Sequence, residues 1–298
     1  MGKSLSPFLS SFTFHSIAMS NSPSDTHDEP RSWLFVPGDR PDRFDKALAA
    51  GADAVIVDLE DAVASQDKTR ARDAVATWLD TGAAGGRRAV YVRINGAETA
   101  WFADDVGAFA AHPEVRGIML PKAADTSALG AVQARARAGL HLVPLLESAA
   151  AFAAIHEIAS APGVERLAFG TVDFQVDTGI GGDGEELSYF RSLMTFASRV
   201  AGIGSAVDGV TTTIDDAEAI EAAARRARRF GFGGRLCIHP RQIAPTHRGF
   251  APAMEERVWA QRVIDAADAS SGSATVLDGK MIDAPVIQRA RLILAAAR

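Results

Sequence analysis

From Arg31 to about residue 250, short apolar runs alternate with Ala-rich stretches of helical periodicity. Eight of the runs predict strands: "SWLFVPG", "DAVIVDLE", "RAVYVRIN", "GIMLPKA", "HLVPLLE", "RLAFGT", "SAVDGV" and "RLCIHP". Each is apolar over consecutive positions, the pattern of parallel strands covered on both faces. Between them, residues 67–80 place Ala71, Ala74, Val75, Trp78 and Leu79 on one helical stripe. Residues 215–230 open on Asp215 and Asp216 and close on "RRARR", so the charges complement the helix dipole at both ends. This makes the Arg run a solvated helix end rather than a nucleic-acid site. Gly231, Gly233 and Gly234 then stop the helix. Strand–helix alternation predicts an α/β chain, and eight such units predict a closed (β/α)8 TIM barrel. An open doubly wound sheet is the competitor, but no G-x-G-x-x-G joins the first strand to its helix. Past residue 250 the alternation gives way to a helix, a turn across "SSGSATVLDGKMIDAP" and a last helix. The expected division is a disordered tail over 1–30, a barrel over 31–250, and a C-terminal helical extension over 251–298.

Composition narrows the classes. Of 298 residues, 47% are hydrophobic, enough for a large core. A net charge of −6 and no basic domain argue against a nucleic-acid partner, so an anionic ligand needs a local basic patch. The single cysteine, Cys237, allows no disulfide or cysteine-zinc framework within the chain and fits a reducing, cytoplasmic setting. No apolar stretch is long enough to span a membrane. Ser, Pro and His interrupt the apolar part of the first residues, which argues against a secretory signal. Met19 is an alternative start to Met1.

A barrel draws its chemistry from the C-terminal ends of its strands. The second run ends on Asp58, Glu60 and Asp61, the third on Arg93 and Asn95, the fourth on Lys122. The fifth ends on Glu147, the sixth on Asp173, the seventh on Asp208 and the eighth on His239. Glu147 and Asp173 end neighbouring strands, and two close carboxylates repel unless a cation lies between them. Hard oxygen donors without clustered His or Cys suit Mg²⁺. The plainer alternative makes Glu147 a helix cap and Asp173 a turn acid. Glu60, Asp61 and Lys122 are expected to act indirectly, through neighbouring groups. His239 reads as a loop histidine rather than a base. A buried Arg93 must have an anionic partner, either an Asp or a substrate carboxylate or enolate. "GIGGDGEE" (179–186) lacks a P-loop Lys and reads as a flexible loop at the site.

The ordered series "RSWLFVPGDRPDRFDKAL", "DAVIVDLEDAV", "YVRIN", "GIMLPK", "LLES", "FGTVDF", "CIHPRQI" and "GKMIDAPVIQRARLIL" resembles the HpcH/HpaI aldolase and citrate lyase β-subunit family, in its CoA-ester lyase branch. The resemblance implies a barrel that uses Mg²⁺ to break or make a carbon–carbon bond beside a thioester. It implies Glu147 and Asp173 as metal ligands, Glu147 also touching substrate, and Arg93 as the group that holds the reacting oxygen. It implies Asp283 as an acid that reaches a neighbouring subunit's site, Arg43 and Lys46 near the CoA phosphates, and Val207 and Asp208 along the substrate pocket. Helical spacing agrees for Arg43 and Lys46, which fall opposite Phe44 and Leu48. Asp283 also fits an N-cap, with Pro285 in the first turn.

Two positions depart from the family pattern: Val172 stands where relatives carry Glu before the metal-binding Asp, and "GVTTTI" follows Asp208 without a further acid. The expectation is a lyase of 3-hydroxyacyl-CoA dicarboxylates of the citryl, malyl or citramalyl type, acting as a homo-oligomer, by resemblance a trimer. The alternatives are a thioesterase on such esters, a lyase-complex subunit acting on an acyl carrier protein, and a non-catalytic CoA-ester binding protein.

Overall fold

The computed structural model describes residues 29–82, 89–270 and 274–297. Eight parallel strands close into a barrel in sequence order. They are β1 (Ser32–Pro37), β2 (Ala54–Asp58), β3 (Ala89–Arg93), β4 (Gly117–Leu120), β5 (His141–Leu146), β6 (Ala168–Phe169), β7 (Val207–Asp208) and β8 (Gly234–Cys237). Closure is made by β8 pairing with β1, Leu236 opposite Trp33. The open-sheet competitor is thereby excluded.

The apolar runs divide by alternation. Trp33, Ile56, Tyr91, Met119, Val143 and Leu236 fill the barrel interior, where the Trp33 and Tyr91 rings lie 4.6 Å apart. Their sequence neighbours, such as Leu34, Val55, Val57, Val90 and Val92, face outward into a second core under the helices. A run apolar at every position is therefore two alternating faces, each buried. Truncating Ile56, fully buried in the interior, to Ala costs roughly 2–5 kcal/mol.

The covering helices are α1 (Phe44–Ala49), α2 (Lys68–Asp80), α3 (Phe102–Phe109), α4 (Ser127–Gln133), α5 (Ala149–Ala153) and α6 (Ile155–Ala159). They continue with α7 (Thr171–Thr178), α8 (Ser188–Ala201), α9 (Ala217–Arg229) and α10 (Ile243–Phe250). The stripe expected over 67–80 is α2, which buries Ala71, Val75 and Leu79. Asp216 caps α9 by accepting from Ala219 N. The basic end of α9 is less solvated than expected, because Arg226 pairs with Asp183 and Arg228 with Glu256.

The extension contains α11 (Met254–Ala269), a hairpin of β9 (Thr275–Leu277) and β10 (Lys280–Ile282), and α12 (Ala284–Ala295). It has its own apolar cluster around Ala260, Val263, Ile282 and Ile293. The hairpin replaces the simple turn read from sequence. Asp278 and Gly279, at φ 50° and 76°, make a two-residue loop whose twist suits paired strands.

Residues 1–28 of the expected tail lie outside the described residues. Its last two residues are anchored to the barrel. Glu29 accepts from Ser205 N, and Pro30 O accepts from Trp33 Nε1 and Arg166 Nη1. Among the described residues no helix is long and apolar enough to cross a membrane.

Candidate active site

Strand register brings the first cluster together. Asp58 at the end of β2 lies opposite Arg93 at the end of β3. Arg93 Nε donates to Asp58 Oδ1 at 2.7 Å and Nη2 to Oδ2 at 2.6 Å, a two-pronged pair. Nη1 sits 3.0 Å from Glu60 Oε2 and 3.4 Å from Asp61 Oδ2. Burial opposes the charge on Arg93, but Asp58, Glu60 and Asp61 outweigh it and keep the guanidinium firmly protonated. The anionic partner demanded by the sequence is thus Asp58, a residue whose role at the site the sequence reading did not assign.

The turn after β2 is held from behind. Lys68 Nζ donates to Leu59 O and Glu60 O at 2.7 and 2.6 Å. Asp58 also accepts from Glu60 N and Ala62 N. Glu60 is buried, and burial pushes its carboxyl above the usual range against the pull of Arg93 and Lys122. Lys122 Nζ lies 3.1 Å from Glu60 Oε1 and 3.5 Å from Glu98 Oε1. Glu60, Asp61 and Lys122 therefore join one charged network around Arg93.

Glu147 follows β5 directly and is 6% exposed. Its Oε1 accepts from the backbone N–H of Lys122 at 2.6 Å. Lys122 reaches that geometry at φ 52°, uncommon for a residue with a side chain. Glu147 does not cap the helix after it: Ser148 does, accepting from Ala151 N at 3.2 Å. The chain passes close by at Gly170, where a Cβ would lie 2.6 Å from Glu147 Cβ and 2.8 Å from its Oε2. Glycine there is what lets α7 start against the carboxylate.

Asp173 is not at a strand end, as the sequence suggested. Strand β6 stops at Phe169, and Asp173 is the third residue of α7, exposed and lining the cavity. Burial first, then Glu60 and Asp173, push Glu147 up to about 8, while Lys122 N–H and Arg93 pull the other way. A carboxyl raised partly by a second carboxylate is what a cation would relieve. Among the described residues no group of three or more His, Cys, Asp or Glu forms a cluster able to hold a metal. The donor set that fits is two hard oxygens, with water and substrate completing the shell, as Mg²⁺ takes them.

Beside these groups lies a cavity of about 370 Å³. Arg93, Asp61 and Asp173 line it, with apolar walls that include Phe35, Phe169 and Val172. Val207 and Asp208 do not border it. Both are fully buried, and the wall there is Val210. Asp208 is taken up by Arg191 Nε at 3.1 Å and Arg235 Nη1 at 2.7 Å. The expectation that Val207 and Asp208 line the substrate pocket is corrected accordingly. Arg191 also holds Asp183, which Arg226 grips at 2.7 Å, so the Gly-rich loop is tethered at that residue.

The remaining expected residues lie apart from this cavity. Arg43 and Lys46 are exposed, opposite buried Phe44, and form no ion pair among the described residues. Asp283 caps α12 by accepting from Val286 N and does not border the cavity within one chain. His239 accepts from Arg241 N through Nδ1, the loop role expected of it.

Three comparisons bear on this arrangement. The HpcH/HpaI aldolase/citrate lyase family matches residues 31–240. A (3S)-malyl-CoA thioesterase of Cereibacter sphaeroides is 35% identical, over 90% of this chain and 94% of its own. An L-malyl-CoA/beta-methylmalyl-CoA lyase of the same species is also 35% identical, with the same coverage. The crystal structure of the protein CitE from Mycobacterium tuberculosis, in complex with magnesium, acetoacetate and coenzyme A, superposes with a TM-score of 0.79 at 34% identity. The match covers 91% of this chain and 99% of that one.

Proposed function

The chain belongs to the HpcH/HpaI aldolase/citrate lyase family, and from that premise we propose that it is a Mg²⁺-dependent lyase of a 3-hydroxyacyl-CoA ester of the malyl, citramalyl or citryl type. The observation that carries the reading is the Glu147–Asp173 pair. One carboxylate is oriented by Lys122 N–H, and the other stands on the first turn of α7 at the cavity wall. The magnesium in the related CitE complex supports the assignment.

The bond that breaks joins the carbinol carbon to the carbon next to the thioester. A base removes the hydroxyl proton, the carbinol becomes the oxoacid carbonyl, and the bonding pair passes to the thioester enolate. Protonation of that carbon gives the acyl-CoA. Mg²⁺, when held by Glu147 and Asp173, supplies positive charge beside the oxoacid oxygens. Arg93 directs its guanidinium to the same cavity, and Asp58 fixes its plane and its charge, so little reorganisation is needed as negative charge develops. Phe35 and Phe169 give the cavity an apolar wall on which the acyl half can lie. The base is assigned to Asp283 of a second copy, which makes the working unit at least a dimer, with a trimer in keeping with the family resemblance. Arg43 and Lys46 are assigned to the CoA phosphates, as exposed cations on a chain of net charge −6.

A thioesterase is the second reading, favoured by the equal identity of the malyl-CoA thioesterase. Incubating the protein and Mg²⁺ with acyl-CoA esters, while following both oxoacid and free thiol, separates the two. Oxoacid without thiol is the expected result. Thiol without oxoacid makes the protein a hydrolase, and neither product on any ester sinks the enzyme reading.

A further inference from the structure

A second cleft, of about 710 Å³, lies at the end of the barrel opposite Arg93 and Glu147. Its volume is in the range of small-molecule sites. Arg31, Ser205 and Gly233, which precede β1, β7 and β8, line its barrel side. The other side is α12, so the cleft runs between the barrel and the C-terminal extension. Helical spacing sets the α12 face. Arg289, Leu292, Ile293 and Ala296 recur at i, i+3, i+4 and i+7 and all line the cleft. Phe232 and Phe250, both buried, continue the apolar surface on the barrel side.

The acids here already have partners. Glu29 accepts from Ser205 N and lies 3.7 Å from Arg166 Nη2. Asp53 accepts from Arg31 N and Ser32 N and lies 3.3 Å from His247 Nε2. Glu256, beside the cleft, accepts from both terminal nitrogens of Arg228. The arginines are less fully used. Arg289 makes no ion pair among the described residues, and its guanidinium lies 5.4 Å from the Trp259 ring centre. Arg166 is 1% exposed, and its Nη2 has no hydrogen-bond partner among the described residues. That atom sits just behind the wall, since a Cβ at Gly233 would lie 2.7 Å from it. Arg31, Arg166, Arg228 and Arg289 thus face Glu29, Asp53 and Glu256, which leaves one positive charge over on a chain of net charge −6.

We propose that this cleft is a second binding site, for a monocarboxylate with an apolar tail. Arg289 meets the head, and the tail lies along Leu292, Ile293, Phe232 and Phe250. Charge-assisted hydrogen bonds hold the head, and removal of the tail from water adds to them. The ligand ties α12 to the barrel. Asp283 caps the far end of α12, so the same contact steadies the acid assigned to a neighbouring copy's site. That consequence rests on the lyase reading above; the binding does not.

Octanoate is the probe. It is titrated by calorimetry into the full-length protein with EDTA present, so that no cation offers a rival carboxylate site. It is expected to bind at least about 10-fold more tightly than acetate, which lacks the tail, and than 1-octanol, which lacks the charge. Arg289→Ala and Leu292→Asp, both at exposed positions, are each expected to weaken octanoate roughly 10-fold with an unchanged circular dichroism spectrum. Hydrogen exchange locates the ligand, and slower exchange over residues 284–296 is expected. No octanoate binding overturns the proposal, and a cleft filled by residues 1–28 or by a second copy gives that result. Acetate or octanol bound as tightly, two folded variants of unchanged affinity, or protection confined to the Arg93 end of the barrel also overturns it.

Discussion

The backbone N–H of Lys122, held at φ 52°, donates to Glu147 Oε1 at 2.6 Å. The bond fixes one oxygen of a buried carboxylate and leaves the other to face Gly170 and α7. Glycine takes positive φ without strain, whereas a β-branched residue resists it. Lys122→Gly is therefore expected to keep Mg²⁺ affinity within about 3-fold. Lys122→Val is expected to weaken it by roughly 10-fold or more, as loss of an orienting hydrogen bond does. Calorimetric Mg²⁺ titration of both variants, with circular dichroism as the folding check, reads the difference.

Metal binding should depend on pH through Glu147. Its carboxyl is pushed up from 4.5 to about 8, so the metal-free protein holds it mostly neutral at pH 7. A cation binds the ionised form. Affinity for Mg²⁺ should therefore climb from pH 6 to 8 and then level, with close to one proton released per chain at pH 7. Titrations in buffers of different ionisation enthalpy count that proton. The stability of the metal-free fold has the opposite sign. Relative to the unfolded chain, it is full below about 4.5 and falls as pH rises through about 8, because the fold disfavours the ionised carboxylate.

The strand ends β2 and β3 are coupled through Asp58 and Arg93, both buried. Asp58→Ala leaves an arginine without its main partner and should cost roughly 3–5 kcal/mol in urea unfolding. Arg93→Lys retains the charge but loses the two-pronged geometry. It should lower kcat roughly 100-fold with a smaller effect on stability, measured by steady-state kinetics and thermal unfolding.

At the opposite end of the barrel, Asp53 accepts from Arg31 N at 2.9 Å and lies 3.3 Å from His247 Nε2. Burial raises its carboxyl, but His247 and Arg31 together bring it down to about 2, from 3.8. The resulting stability is present above pH 3.8 and is lost as pH falls through about 2. Asp53→Asn should cost about 1–2 kcal/mol at pH 5, allowing for solvent contact, and should flatten the acid limb of the unfolding curve.

Much of this architecture is legible in the sequence because parallel strands buried on both faces leave continuous apolar runs. All eight runs became barrel strands. Their ends were less legible. "RLAFGT" yields only Ala168–Phe169, because Gly170 must start α7 against Glu147. Asp173 thereby moves from a strand end to a helix, while remaining at the cavity. Asp208 looks like a pocket acid in one dimension. Its partners, Arg191 and Arg235, lie 17 and 27 residues away, and no local pattern announces them. Positive φ at Lys122 is equally silent in sequence. The C-terminal hairpin is different: Asp278-Gly279 between "ATVL" and "KMI" is a hairpin signal that the sequence carries in full.

The claim on which the rest stands is that Glu147 and Asp173 together hold the cation that makes the cavity a lyase site. Mg²⁺ titration of the Asp173→Ala protein beside the unaltered one, with oxoacid release followed in the same samples, tests it most directly. The expected result is Mg²⁺ affinity lowered at least 10-fold and kcat lowered by about 1,000-fold, the scale of several kcal/mol of charge stabilisation. Equal metal binding by the two proteins, with neither releasing oxoacid from any ester, would contradict it.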